Sequence, residues 1–451
     1  MAPNPPGPTF TFWQLLRLIP HLRDDLLALL TEWKSRYGDT IYTQFGRTHN
    51  YNFFHPDDIH AVLVEHAPKL SKTPDYTDPR VGLAKFLGNG LLVSDGEFWR
   101  RQRKLVAPSL HAKRVEAYAD TMVEFTLKML DSWRDAAQID VAGAMTTLTL
   151  RIVAKTLFDV DAESDAARIS SAVEVLQQSS GSFSLVPAWV PTPGRMAGTR
   201  AARDLDDIVY RLIRERRADR RDRGDLLSML LDAVDEDTDS GMTDKQVRDE
   251  AVTLYLAGHE TTANTMKWTW YLLSQNPAAE AALHAELDSV LGGRPPTLAD
   301  LDHLPYTEWV IKEALRLYPP AYGFSRLAKE PLTIGGYDIP AGAFLHVVPY
   351  ITHRDPRFHA NPDAFQPERF ANDAEKRWPR YAYFPFGGGP RVCIGNSFAL
   401  MEARLILATV ASRYRLRLPM GYPVYPKALI TLVPRDGLRM TAEQRQPVPV
   451  A

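Results

Sequence analysis

A chain of 451 residues with a single cysteine, Cys393, cannot be stapled by disulfides. It also has no set of thiolates for a zinc or iron–sulfur cluster. Its fold has to come from a hydrophobic core, and a chain this long can bury one deep enough to enclose a sizeable cofactor. The residues are 45% apolar and 24% charged, an ordinary globular balance that sets aside fibrous and wholly disordered readings. Lys plus Arg number 53 against 55 for Asp plus Glu, a net charge of −2, so no global field favours nucleic acid. No run of 18 apolar residues predicts a membrane span. Residues 10–20 are too short, carry Gln14 and Arg17, and lack the marks of a signal peptide. The expected compartment is the cytoplasm.

Periodicity predicts a mostly α unit with small β-sheets. The Pro-rich residues 1–8 read as an extended, poorly ordered lead-in. Helical spacing over 23–37 stops at Gly38, and 40–45 with 51–54 form a hairpin joined by 46–50. Long helical stretches cover 95–160 and 199–235, separated by a Pro-containing loop at 186–194. Seven arginines over 211–223 read as a solvated helix face, and 232–239 as an acidic surface loop. Thr243 and Gln246 form a capping-box pair that starts a long central helix, which Asn276 and Pro277 stop near Gln275. Short β pieces follow at 332–339 and 344–349. No repeat or low-complexity linker divides the chain, so 1–451 reads as one domain, with 1–9 as a flexible lead-in.

Cys393 lies in Phe386-Gly-Gly-Gly-Pro-Arg391-Val-Cys393-Ile-Gly395, and a helical pattern follows over 396–414. A lone cysteine is more often an inert buried hydrophobe than a ligand. Here the glycines let the backbone come close to a flat partner with amides aimed at sulfur, and the helix N-terminus favours a thiolate. Such a thiolate suits a nucleophile or an axial haem ligand.

Three other constellations stand out. Ala257-Gly258-His259-Glu260-Thr261-Thr262 lies mid-way along the central helix, where Ala and Gly by themselves suggest a packing notch. Its His-Glu start resembles a zinc-protease helix, but Ala263 stands where the second histidine would be required. A carboxylate beside a hydroxyl is a sensible proton relay, and Ala257 and Thr261 share a helix face. Glu313 and Arg316 form a common i,i+3 pair, with Arg369 some fifty residues later. Trp99 and Arg103, four apart, belong to a basic helix start whose Arg100, Arg101 and Lys104 face outward as a docking face for an acidic electron donor.

In this order the motifs resemble the cytochrome P450 superfamily, over roughly residues 30–440 and most in pattern the haem domain of soluble bacterial fatty-acid hydroxylases. The resemblance implies the P450 fold, a triangular prism with haem b between the long central helix and the Cys-loop helix. It implies Cys393 as axial ligand of the haem iron, with Phe386 and Gly395 in the cofactor loop. Trp99, Arg103, Arg326 and Arg391 match positions at the haem propionates. Glu260 and Thr261 take the catalytic proton-delivery role, and Glu313, Arg316 and Arg369 a structural network beneath the haem loop. His353, in a further matching segment, reads as structural. Leu92, Ala257, Ala321 and Phe324 match positions lining the substrate pocket.

The implied activity is a monooxygenase that inserts one atom of O2 into a small apolar organic substrate, by hydroxylation or epoxidation. Electrons come from separate partners, a ferredoxin with its reductase or a flavodoxin-type donor, since no fused reductase follows Cys393. A peroxide-driven or redox-neutral haem-thiolate enzyme is one alternative, and a non-catalytic haem sensor is another. Fatty acid, terpenoid, steroid and polyketide substrates all stay open.

Overall fold

A computed structural model describes residues 3–80, 82–133, 138–159, 168–169, 171–172, 175, 192–219, 221, 223–235 and 239–446. In chain order its helices of seven or more residues begin with α1 (Phe12–Asp24), α2 (Leu26–Tyr37), α3 (Gly96–Val106) and α4 (Ala119–Asp131). There follow α5 (Val141–Phe158), α6 (Pro193–Asp219), α7 (Leu226–Asp232) and α8 (Asp244–Gln275). The last are α9 (Pro277–Leu291), α10 (Pro305–Leu317) and α11 (Asn396–Ala411).

A five-stranded sheet has the order β1-β2-β10-β7-β3, from Thr40–Phe45, Thr48–Phe53, Phe344–Val347, Phe324–Ala328 and Leu70–Ser71. Only its β2–β10 pair is parallel. A three-stranded sheet runs β11 (Tyr414–Arg417), β14 (Arg439–Gln444), β4 (Ile139–Asp140). The remaining described strands pair in twos: β5 (Val234–Asp235) with β6 (Ser240–Gly241), β8 (Leu332–Ile334) with β9 (Tyr337–Ile339), and β12 (Pro426–Ala428) with β13 (Leu432–Pro434).

The axis of the molecule is α8, 32 residues and about 48 Å long. It starts where its capping box closes: Gln246 N–H donates to Thr243 Oγ1 at 3.3 Å, and Thr243 N–H to Gln246 Oε1 at 2.8 Å. Neighbours surround it, with α5 lying along it and α6, α10 and α11 also in contact. α5 is long and apolar enough to cross a membrane, yet it is a mostly buried core helix. Trp268 of α8 is fully buried; its ring stacks on Tyr318 at 4.1 Å and its Nε1 donates to Leu432 O at 3.0 Å.

Several boundaries differ from the sequence reading. The first hairpin turns at Gly46 and Arg47, since β2 already begins at Thr48 and Gly46 takes a φ of 62°. The stretch 95–160 is not one helical run: Pro108 opens a 3-10 turn at Ala107–Leu110, and β4 intervenes before α5. The second stretch starts earlier, at Pro193, and breaks after Asp219 where Gly224 has a φ of 70° and Asp225 caps α7. The expected loop at 186–194 lies outside the described residues up to 191. The lead-in is tied down rather than loose: Tyr42 N–H donates to Pro6 O at 3.2 Å and Tyr51 Oη to Asn4 Oδ1 at 3.2 Å.

The arginine-rich segment is not simply a solvated face. Arg216 is buried against Asp225, with Nη1 2.6 Å from both carboxylate oxygens and Nη2 donating to Phe158 O at 3.2 Å. Arg217 pairs with Asp244 at 2.7 Å and Arg223 with Asp219 at 2.9 Å. Among the described residues of the acidic segment, Asp235 in β5 is likewise buried.

Candidate active site

The Cys393 loop is shaped from behind by the rest of the protein. Cys393 N–H donates to Phe386 O at 2.9 Å, closing the loop three residues before α11 begins. Gly389 has a φ of 63°, and a Cβ there would sit 1.9 Å from Leu63 O; one on Gly388 would sit 2.2 Å from the Tyr381 ring. These two glycines therefore serve packing against the protein, where the sequence suggested close approach of a flat partner. Gly395 supplies the expected amide, hydrogen-bonded to the sulfur.

Burial pushes the Cys393 thiol up, while the Gly395 amide and the charge of Arg103 pull it back down. The sulfur lies deep inside the protein, and its accessible surface opens onto an internal cavity of about 950 Å³.

That cavity collects the predicted site. Trp99, Arg103, Arg326, Phe386, Arg391 and Gly395 line it alongside Cys393. So do Glu260 and Thr261 from α8, and the four proposed pocket residues Leu92, Ala257, Ala321 and Phe324. The Thr261 hydroxyl donates to Ala257 O at 2.8 Å, back along its own helix. Gly258 faces α5, where a Cβ would meet Val153 Cγ2 at 3.4 Å, an ordinary contact, so packing against α5 does not by itself require a glycine here. His259 points away from metal chemistry: its Nδ1 bonds Tyr255 O at 2.9 Å, and burial lowers it to about 4. Glu260 Oε1 accepts the Thr431 hydroxyl at 2.6 Å.

The cations form one electrostatic unit. Arg391 stacks over Trp99 with its guanidinium carbon 4.2 Å from the ring centroid, donates to Ser94 O at 3.1 Å and pairs with Asp95. The Arg103 guanidinium carbon is 5.9 Å from the centroid of the same ring. Arg326 donates to Ser325 O at 2.8 Å and has no carboxylate in ion-pair distance among the described residues. Lys72 shares its side of the cavity, over the Tyr76 ring at 4.5 Å, and is held far below the usual lysine range by burial, Arg326 and Arg391. Buried cations that depress one another need an anion. A flat group with two carboxylates and a metal for the Cys393 sulfur fits this donor set, which is the chemistry of haem.

Lys72, Tyr76 and Thr431 escaped the sequence reading. Nothing in their local sequence marks them, since they reach the cavity only through tertiary packing. The cavity wall formed by Leu22, Leu26, Leu30 and Trp33 of α1 and α2 escaped it for the same reason.

The remaining candidates lie off the cavity. Arg316 and Glu313 are fully buried and bidentate, at 2.7 and 2.8 Å, and Arg369 Nε reaches Glu313 Oε1 at 3.3 Å. Arg316 also donates to the carbonyls of His353, Pro362 and Ala364 at 2.8, 2.6 and 3.1 Å. His353 spends both ring nitrogens on backbone, at Arg316 O and Phe384 N–H, as its structural reading requires. The outward face needs correction at Arg101 alone, since Arg100 and Lys104 are exposed as expected. Arg101 is tied to the β5–β6 hairpin, 2.9 Å from Asp235 Oδ2 and 3.0 Å from Ser240 O, while Arg100 pairs with Glu97.

A profile of the family described as Cytochrome P450 matches residues 3–435. Cyclooctatin synthase of Streptomyces melanosporofaciens is 38% identical over 416 residues, covering 91% of this chain and 89% of that protein. Cyclooctat-9-en-7-ol 5-monooxygenase of the same organism is 37% identical, covering 84% and 83%. Pentalenene oxygenase of Streptomyces avermitilis is 33% identical, covering 96% and 95%. The crystal structure of the cytochrome P450DA heme domain superposes with a TM-score of 0.90 at 25% identity, covering 99% of this chain and 98% of that one.

Proposed function

The chain belongs to the cytochrome P450 family and is a haem-thiolate monooxygenase of an apolar substrate, and from that premise we propose that its substrate is a polycyclic terpenoid hydrocarbon or a mono-alcohol of one. The observation that carries this is the cavity: about 950 Å³, walled by Leu83, Leu92, Val153, Leu157, Leu254 and Phe324, with Glu260 and Thr261 on one of its helices. Haem would occupy part of that volume, and the apolar side of what is left suits a rigid, compact hydrocarbon held by apolar contact, with few polar groups to fix it. The relatives named for cyclooctatin, cyclooctat-9-en-7-ol and pentalenene support the same substrate class.

In this reading Cys393 holds the iron, and Lys72, Arg103, Arg326 and Arg391 hold the carboxylates of haem b. The group is bound without thioethers, since the chain has no second cysteine. When bound, haem supplies the iron at which O2 is reduced and one oxygen atom reaches the substrate. The Gly395 amide and the Arg103 charge favour the thiolate that burial alone would disfavour. Thr261 gives its proton to Ala257 O at rest, which leaves its oxygen open to accept from a water; turning that hydroxyl towards the cavity makes it a donor. Glu260, the adjacent residue, is the carboxylate that takes up a proton from solvent and passes it on to that hydroxyl. The apolar wall excludes bulk water and keeps these protons from leaking.

Electrons arrive from a separate ferredoxin or flavodoxin-type donor. A cytoplasmic setting, which keeps the lone thiol reduced, fits this scheme.

The test is reconstitution with a ferredoxin, its reductase and NAD(P)H under ¹⁸O2, offering polycyclic hydrocarbons and mono-alcohols beside straight-chain fatty acids. A spin-state shift and one labelled oxygen in a polycyclic product are expected. Turnover of the fatty acids alone would refute the substrate class. Activity with peroxide but none with reductant would replace the oxygenase by the peroxide-driven alternative. Binding with no product under either regime would leave the haem sensor.

A further inference from the structure

Glu260 is joined to a hydrogen-bonded chain that no sequence motif announces. Thr431, between β12 and β13, donates its hydroxyl to Glu260 Oε1 at 2.6 Å. Asn264 Nδ2 donates to Thr431 Oγ1 at 2.9 Å, and Lys267 Nζ donates to Asn264 Oδ1 at 2.9 Å. Residues 260, 264 and 267 are spaced i, i+4, i+7, so α8 presents them in one stripe. The Trp268–Leu432 hydrogen bond holds β13 against the same helix. Asn264 is fully buried and Thr431 nearly so.

The direction of every bond in this chain is set from its cationic end. An ammonium has donors only, so the Asn264 atom facing Lys267 has to be the oxygen, which fixes an amide that could otherwise flip. Asn264 then offers its N–H to Thr431, whose hydroxyl accepts there and has its own hydrogen left to give. That hydrogen goes to Glu260, which receives it as an acceptor. Remove the cation and the amide can turn, the hydroxyl can reverse, and a protonated Glu260 becomes an equally good partner.

We propose that Lys267 is a positioning residue for Glu260: through Asn264 and Thr431 it keeps the carboxylate ionised and turned towards the β12–β13 turn. The inference rests on the reading of Glu260 as the carboxylate that relays protons to Thr261 in an oxygenase cavity. Lys267 has no carboxylate in ion-pair distance among the described residues. Its charge is acted on by Glu260 from its own helix and by Asp140 from β4. Burial lowers it to about 8, which leaves it largely charged at neutral pH, while its neighbour His259, lowered to about 4, is neutral there. The chain transmits orientation and charge. It does not carry protons, because the Asn264 amide would have to pass through its imidic form.

The experiment is infrared difference spectroscopy of the holoenzyme across pH. The Glu260 carboxyl band is assigned by its loss in Glu260→Gln. Lys267→Met is expected to raise the midpoint of the Glu260 titration by about one pH unit or more. Thr431→Val should do the same, and Lys267→Arg should restore the original midpoint. In turnover, Lys267→Met should divert several-fold more reducing equivalents to peroxide, with substrate affinity from spin-state titration changed by less than about twofold. An unchanged Glu260 titration in Lys267→Met overturns the proposal. Should that variant not fold, an unchanged titration in Thr431→Val overturns it instead. The infrared signal does not depend on oxygenation, so a wild type that binds haem without turning over counts against the oxygenase reading alone.

Discussion

Two clusters of cations, one off the cavity and one lining it, solve the problem of a buried cation in opposite ways. In the Glu313–Arg316–Arg369 cluster every guanidinium has its answer inside the protein: a bidentate carboxylate and a ring of backbone carbonyls. In the Lys72–Arg103–Arg326–Arg391 cluster, Asp95 answers Arg391, while Lys72 and Arg326 have no ion-pair partner among the described residues. Taking ions out of water costs several kcal/mol each unless partners are supplied. The first cluster is therefore internally complete, and the second fits the proposed role of a receptor for an anion. Residue type does not separate the two; the count of acceptors does. A third solution appears on α11, where Glu402 is fully buried and burial pushes it up to about 8, so that it stays neutral. The Thr262 hydroxyl beside it gives its hydrogen to Gly258 O at 3.2 Å and only partly offsets the burial.

The sharpest way to break the comparison is to remove one cation from each cluster. Arg316→Ala strands the Glu313 carboxylate and should cost about 3–5 kcal/mol of stability, enough to abolish folded protein or lower its melting point drastically in calorimetry. Arg326→Gln should act in the reverse sense. Haem should bind roughly ten- to a hundredfold more weakly, about 1.5–3 kcal/mol for lost charge-assisted hydrogen bonds, while the apo-protein keeps or gains stability. Haem transfer to apomyoglobin and apo-protein melting read the two quantities separately. A destabilised apo Arg326→Gln would erase the distinction between the clusters.

Glu402→Gln has the smallest effect and the clearest pH signature. The native carboxyl holds a proton that the unfolded chain releases above about pH 4.5, so wild-type stability falls as pH rises from about 4.5 to about 8 and then levels off. The glutamine variant should be more stable than wild type at pH 8 and little different near pH 4.5. Equal gains at both pH values would show that Glu402 is not held neutral.

What the sequence made legible is local. The capping box at Thr243, the stop at Asn276 and Pro277, and the Gly-rich turn carrying Cys393 into α11 each depend on neighbours within a few residues. The same holds for the i,i+3 pair Glu313–Arg316. Illegible were contacts across long sequence separations. Lys72 and Arg326 meet only because β3 pairs with β7. Thr431 reaches Glu260 across 171 residues. Arg101 looked like a free docking charge because its partner Asp235 is 134 residues away, in a strand of two residues. Gly388 and Gly389 read as making room for a flat partner, but what crowds them lies behind the loop, in Tyr381 and Leu63. The first break within 95–160 falls at Pro108, whose position in a 3-10 turn leaves no periodic trace.

The central claim is that Cys393, opening onto a cavity ringed by unbalanced cations, holds haem iron as a thiolate. The most direct measurement is the carbon-monoxide difference spectrum of the reduced, freshly purified protein, with Cys393→Ala beside it. A strongly red-shifted Soret band in the wild type, lost in the variant, is the predicted result. A wild-type band at the position of imidazole-ligated haem, or a thiolate band that survives in Cys393→Ala, would contradict it.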